Sequence, residues 1–171
     1  FYVMNSSFDV YKCIDNNGGA ASTVEPSGNK STSVFTTGDS YRWKYMYSLT
    51  ASEQTNFLSS DFMHVSTESS DFSTTAGAIE HVKITAAGSG GTNGTYTGVN
   101  IRGDGSSGTA TVVVSGNAVT SVTITAAGSG YTFASILASD IGSVSGADID
   151  FIISPTGGHA NDCEKELGAF F

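Results

Sequence analysis

Three histidines, His64, His81 and His159, are the side chains here that ordinarily titrate near neutral pH. They stand too far apart to read as a metal-ligand set. Serines are plentiful, but no G-x-S-x-G elbow presents one as a nucleophile. Carboxylate pairs of the kind used in glycoside hydrolysis come together only in a folded chain, so spacing neither names nor excludes them. GDGSSG (103–108) has G-x-G-x-x-G spacing. A dinucleotide site needs a helix after that run, so that the helix N-terminus meets the phosphates. Residues 109–114 (TATVVV) read instead as a strand, which makes the run a hairpin loop. Arg102-Gly103-Asp104 spells an adhesion tripeptide, yet Asp-Gly is ordinary turn chemistry. Asp15-Asn16-Asn17-Gly18 starts like a calcium loop, but Ala20 and Pro26 stand where the loop needs Gly and a bidentate Glu. Asp148 and Asp150 share a strand face and read as solvated carboxylates. The residues therefore point to a non-enzyme, with no catalytic group, no metal and no cofactor.

Composition narrows the class of partner. Of 171 residues 39% are hydrophobic and only 13% charged, against a usual charged share of about 25%. Ser, Thr, Gly and Asn fill the difference, which suits short strands joined by tight turns. With seven basic residues and a net charge of −9, no basic patch is available to neutralise phosphates, so nucleic acid is excluded as a partner. Acidic lipid surfaces are excluded for the same reason. Apolar runs such as Phe151-Ile152-Ile153 are far too short to cross a bilayer, and no membrane association is expected. Cys13 and Cys163 match neither a disulfide framework nor a zinc signature. Reduced thiols are the expectation, with a bridge between the two left open. Asn5, Asn29 and Asn93 begin N-x-S/T acceptors, which carry little meaning without a visible secretory signal. The chain opens Phe-Tyr-Val and closes Gly-Ala-Phe-Phe. Both ends read as interrupted patterns, so a fragment of a longer protein is expected.

The elements that must position these residues are mostly strands. Residues 10–14 (VYKCI) read as one, followed by a turn at 15–19. After a long polar loop with a short strand at Val34-Phe35 comes YRWKYMY (41–47). Its rings fall on every second position, so a ring-covered face and an opposite face of Arg42, Lys44 and Met46 are expected. Thr50 and Glu53 form a capping box for a short helix, with Phe57 and Leu58 turned inward. Residues 66–76 read as a polar connection. HVKITAAGSGG (81–91) then returns as SVTITAAGSGY (121–131), forty positions later. Tyr96-Thr97 matches Tyr131-Thr132, and GTATVVV (108–114) matches GADIDFI (146–152). Such self-similarity marks a duplicated supersecondary unit. Asn161 or Asp162 caps a last short helix, Cys163 to Leu167, with Gly168 as its stop. The expected fold is mainly β: a β-sandwich, immunoglobulin-like repeat unit over 76–153, inserted in a mixed β domain of 1–75 plus 154–171 with two short helices.

Three stretches carry a resemblance. They are VYKCIDNNGGAASTVEPSG (10–28), FTTGDSYRWKYMYSLTASEQTNFLSSDFMHV (35–65) and ISPTGGHANDCEKELGAFF (153–171). In this order they resemble the baseplate wedge proteins of T-even-type contractile-tail phages, and among them the dimeric wedge subunit in a cyanophage-like form. The stretches cover somewhat under half of the chain. Tyr-Lys-Cys…Asn-Asn-Gly with Tyr-x-Trp-Lys-Tyr-Met-Tyr is the specific part. The chain departs at Ala160, where the family pattern has a second Gly after His. The resemblance implies a mostly β, multi-domain structural protein of the virion tail baseplate, assembled in the host cytoplasm. It implies homodimerisation and contact with other baseplate wedge proteins, without catalysis or cofactor. In such a subunit Trp43 and its neighbouring rings are core, and Arg42, Lys44, Met46 and His159 are the candidate partner or dimer interface. The alternative is a tail-fibre or receptor-binding module recognising host glycan through exposed loop residues Tyr96, Asp104, Tyr131 and Asp140.

Overall fold

The structure is a computed structural model and describes residues 1–30, 33–66, 75–159 and 162–168; most of the connection expected at 66–76 lies outside them. The chain folds as two compact units, Phe1–Thr74 with His159–Phe171, and Thr75–Gly158. The second crossing falls later than the expected residue 154. Ser154 is held within the second unit, its amide donating to the Ala78 carbonyl at 2.8 Å and its hydroxyl to the Thr75 carbonyl at 2.6 Å. Both units are antiparallel and mainly β, as their strand-favouring composition implies.

In the first unit β1 (Tyr2–Met4), β2 (Asp9–Asp15), β3 (Phe35–Thr36) and β4 (Arg42–Ser48) form one sheet in the order β1-β2-β4-β3. The alternation of β4 does not survive along its whole length. Tyr11 pairs with Tyr45 but Val10 with Tyr47, so Met46 is an extra residue in the ladder. A bulge of this kind turns the strand and moves later side chains to the other face. Tyr41 and Trp43 accordingly pack with Tyr11 on one side, joined by Tyr45, while Tyr47 joins Val10, Met46 and Leu49 on the other. Both faces are covered. Trp43 is 1% exposed, Lys44 4% and Met46 0%, which corrects the expectation that Lys44 and Met46 face partners. Ring geometry follows the aromatic quadrupole: Tyr41 stacks on Trp43 with centroids 5.6 Å apart, and Tyr11 meets Phe35 and Tyr45 edge-on, each at 5.8 Å.

Helix α1 (Ala51–Phe57) begins with the expected capping box. The Thr50 hydroxyl accepts from the Glu53 amide, and the Glu53 carboxylate accepts from the Thr50 amide. Phe57 does not turn inward; it is 57% exposed and stacks on His64. The helix ends there, and the extended backbone at Leu58 (φ −88°, ψ 128°) carries Leu58 instead onto the Val10 and Met46 cluster.

The second unit contains β5 (Ile79–Ser89), β6 (Gly94–Asn100), β7 (Arg102–Gly103), β8 (Ser106–Ser115), β9 (Ala118–Ser129), β10 (Ala134–Ser135) and β11 (Ser145–Ile153). Here the repeat takes an unforeseen form. The copied strands β5 and β9 each pair with the other copy's partner strand: β5 with β11, and β9 with β8. The two ladders match rung for rung. Ser89 opposes Ser145 as Ser129 opposes Ser106, and Thr85 and Thr125 are bulged at the same point of each. The exchange also ties the ends of the strands. The Gly91 amide donates to Asn117 and the Tyr131 amide to Gly77.

These registers correct two alignments read from the sequence. Gly108 opposes Ala127 as Ala147 opposes Ala87, so the counterpart of Gly108 is Ala147 rather than Gly146. Tyr131 corresponds to Gly91, as the match of 81–91 with 121–131 has it, and the further match of Tyr96 to Tyr131 fails. Size is exchanged along with the strands: where one half has Gly91 against Val144, the other has Tyr131 against Gly105. Tyr131 is therefore 2% exposed and no loop contact. Its hydroxyl donates to the Ile101 carbonyl at 2.9 Å and accepts from the Gly108 amide at 3.1 Å, which satisfies two buried backbone groups.

Trp43→Ala should lower the stability of the first unit by about 3–5 kcal/mol, the usual cost of emptying a buried aromatic site; urea unfolding followed by circular dichroism measures it. Gly88 and Gly128 sit at equivalent positions of the two ladders with φ of +69° and +62°, and an added Cβ would come within 2.6 Å and 2.5 Å of the neighbouring backbone. Alanine at either position should cost at least about 1–3 kcal/mol from backbone strain alone, seen as faster amide exchange across both paired ladders.

Candidate functional site

The chemistry-bearing side chains of the first unit gather on the sheet face that carries Lys12 and Lys44. These two are direct cross-strand partners, a placement that like charges ordinarily disfavour. A carboxylate answers it. Glu166, on α2 (Cys163–Leu167), comes 3.1 Å from Lys12 Nζ. The same Glu166 oxygen is hydrogen-bonded to His159 Nδ1. Glu166 is 5% exposed, His159 0% and Lys12 23% as side chains. Lys12 Nζ also lies 5.9 Å from the centre of the Tyr2 ring, within reach of the cation–π attraction. Helix α2 is held in place by the Asp162 side chain, which accepts from the Lys165 amide at 3.1 Å, and ends at left-handed Gly168. What the cluster can do is hold the C-terminal segment against β2.

A second polar network lies near the other end of β2. Asp9 Oδ1 accepts from Lys30 Nζ at 2.7 Å and from the Ser48 hydroxyl, and the Tyr45 and Ser48 hydroxyls are bonded at 2.8 Å. Asn5 Oδ1 accepts from the amides of Ser7 and Asp9, each at 2.9 Å, while its Nδ2 donates to the Pro26 carbonyl at 3.0 Å. Asn5 is thus buried and engaged, not a free glycan acceptor. Burial alone would push the Asp9 carboxyl up, but the bonds from Lys30, Ser48 and Asn5 outweigh it and hold the carboxyl below its ordinary value of 3.8. Burial pushes the half-buried, free Cys13 thiol up, which suits an inert rather than a reactive cysteine. The side chain of Cys163 is outside the described residues.

Of the expected interface residues, only Arg42 reaches solvent, half-buried and donating to the Thr36 hydroxyl at 3.2 Å. Lys44, Met46 and His159 are interior. His159 is a correction in its own right: Glu166 draws the ring inward, where the loop sequence suggested a surface. Of the expected loop contacts, Tyr96 and Asp140 share one groove in the second unit, together with Arg102. Asp104 is exposed but committed to its own loop. It accepts from the Thr132 amide at 2.8 Å and hydroxyl at 2.6 Å, bonds that hold its carboxyl down to about 2. With Arg102 on Asp140 and Gly103 paired to Ala134, the adhesion tripeptide is structural. Asp148 and Asp150 are exposed, and no cluster of three or more His, Cys, Asp or Glu able to hold a metal is found among the described residues.

Sequence reasoning passed over Glu166, Asp9 and Lys30, and read Asn5 only as a glycan acceptor. Lys12 and Glu166 lie 154 positions apart, and no local pattern couples them. Comparison with protein-family models, curated proteins and solved structures finds no match for this chain.

A carboxyl held below its ordinary value contributes stability that is present above pH 4 and is lost as pH falls through the lowered value. The first unit should therefore weaken on acidification below about pH 4, through Asp9 among its carboxylates. Asp9→Asn should flatten that part of the profile, measured as the urea midpoint between pH 2 and 7.

Proposed function

We propose that this chain is part of a structural subunit of a contractile-tail phage baseplate wedge, acting through protein–protein contacts and homodimerisation rather than catalysis. One observation supports the reading most. The third stretch that carries the resemblance is far in sequence from the other two, yet Glu166 from it bonds Lys12 of the first, as β2 from the first pairs with β4 from the second. Apart from residues 153–158, which belong to the second unit, the stretches are parts of one folded unit, as residues shared for a common structural reason would be. The inserted repeat supplies strands between them without interrupting that unit.

On this reading the contacts lie on the exposed surface of the first unit, since Lys44, Met46 and His159 are taken up internally. Arg42 remains available, and Phe62 offers an apolar side chain that is 76% exposed. A second copy or a neighbouring wedge protein is the partner, in the virion tail baseplate after assembly in the host cytoplasm.

Gold-labelled antibody against the chain should mark the tail-end plate of intact particles in electron micrographs. Label confined to fibre tips, or no label on particles, would overturn the proposal. In solution, sedimentation should show a dimer that Phe62→Asp shifts toward monomer with its circular dichroism unchanged.

A further inference from the structure

A groove of about 450 Å³ opens on the second unit, where the two halves of the repeat differ most. After β5 the chain runs through the seven-residue β6, whereas after β9 it makes only the two-residue β10. Three features give the groove a chemical character.

The first is a fixed aromatic ring. Tyr96 lines the groove, half-buried, with its hydroxyl donating to the Thr92 carbonyl at 2.8 Å. It lies over Gly142, where a Cβ would come 2.3 Å from the hydroxyl oxygen. The second is bare backbone. Tyr96 opposes Val112 and Val99 opposes Ala110, so Thr97 and Gly98 bulge out of the ladder. Gly98 has φ of +64° and nothing within 4 Å of an added Cβ. Bulges and strand glycines of this kind occur where a ligand approaches the chain. The third is a neutral polar pair. Arg102 Nη2 lies 3.1 Å from Asp140 Oδ2, with the two side chains 51% and 32% exposed. Among the described residues, Asp140 Oδ1 takes only a long bond from Ser139, at 3.4 Å.

The pair sets guanidinium donors beside a carboxylate acceptor, and the exposed Asn100 amide adds one of each. Adjacent donors and acceptors match the vicinal hydroxyls of a sugar, and a tyrosine ring suits its apolar C–H face. The charges of Arg102 and Asp140 cancel locally in a chain of net charge −9, which disfavours phosphate, sulfate or sialate.

We propose that this groove binds a neutral saccharide, a mono- or disaccharide unit in extent. The site lies wholly within the second unit and does not depend on the wedge reading. The test uses the whole chain, ¹⁵N-labelled, titrated separately with glucose, galactose, mannose, N-acetylglucosamine and sialic acid. At least one neutral sugar should shift the amides of 95–102 and 138–142 saturably. Tyr96→Ala should weaken that binding about tenfold or more, the loss expected of an anchoring aromatic. Because Tyr96 also packs internally, Asp140→Asn serves as the surface variant and should weaken binding while leaving the rest of the spectrum in place. No saturable shift with any neutral sugar, a response to sialic acid alone, or binding unchanged in Asp140→Asn would each overturn the proposal.

Discussion

The buried Glu166 carboxylate answers part of the most awkward placement in the first unit. Lys12 and Lys44 face one another across β2 and β4, and a sheet does not bring two cations together on a covered face without compensation. Glu166 bonds one of them and the His159 ring besides. Because Glu166 comes from the far end of the chain, the same contact that balances the charge also closes the unit. The inserted residues between are thereby free to form a second unit with its own core. Removing the carboxylate would take a charge partner from Lys12 and a hydrogen-bond partner from the buried His159 ring, a larger penalty than loss of a fully exposed pair.

The second unit solves a different problem. Two similar halves, each a long strand followed by a partner strand, bury their apolar faces by exchanging partners. The matched bulges at Thr85 and Thr125 show that the same local sequence makes the same local irregularity in both. Identical halves would leave identical interiors, yet here a large residue and a glycine trade places: Val144 with Gly91, Tyr131 with Gly105. That trade keeps each interior filled, as close packing demands, and fixes which loop lies on which side. Where the halves diverge most, around β6, polar side chains and open backbone converge.

Packing and exposed chemistry fall to different parts of each unit. In the first, the aromatic strand serves packing on both faces. In the second, the paired ladders serve packing and the connections between them carry the exposed chemistry, in keeping with the general division between scaffold and loops.

Much of the β content was legible from residues alone. Alternation marked β2 and β4, the Thr50 and Glu53 pair marked the start of α1, Asp162 and Gly168 bounded α2, and the forty-residue echo marked the duplication. These signals are local, arising from side-chain period, caps and turn chemistry within a few residues. What only the tertiary structure decided depends on register and distance. The bulge at Met46 sends Tyr47 to the opposite face from Trp43, because one extra residue inverts a period of two. Tyr131 is buried because its counterpart strand offers glycine, not because of its neighbours in sequence. Glu166 finds Lys12 across nearly the whole chain, and the copied strands β5 and β9 pair across copies rather than within them. Such choices are made by charge compensation and packing among distant segments, and they leave no trace in the local pattern.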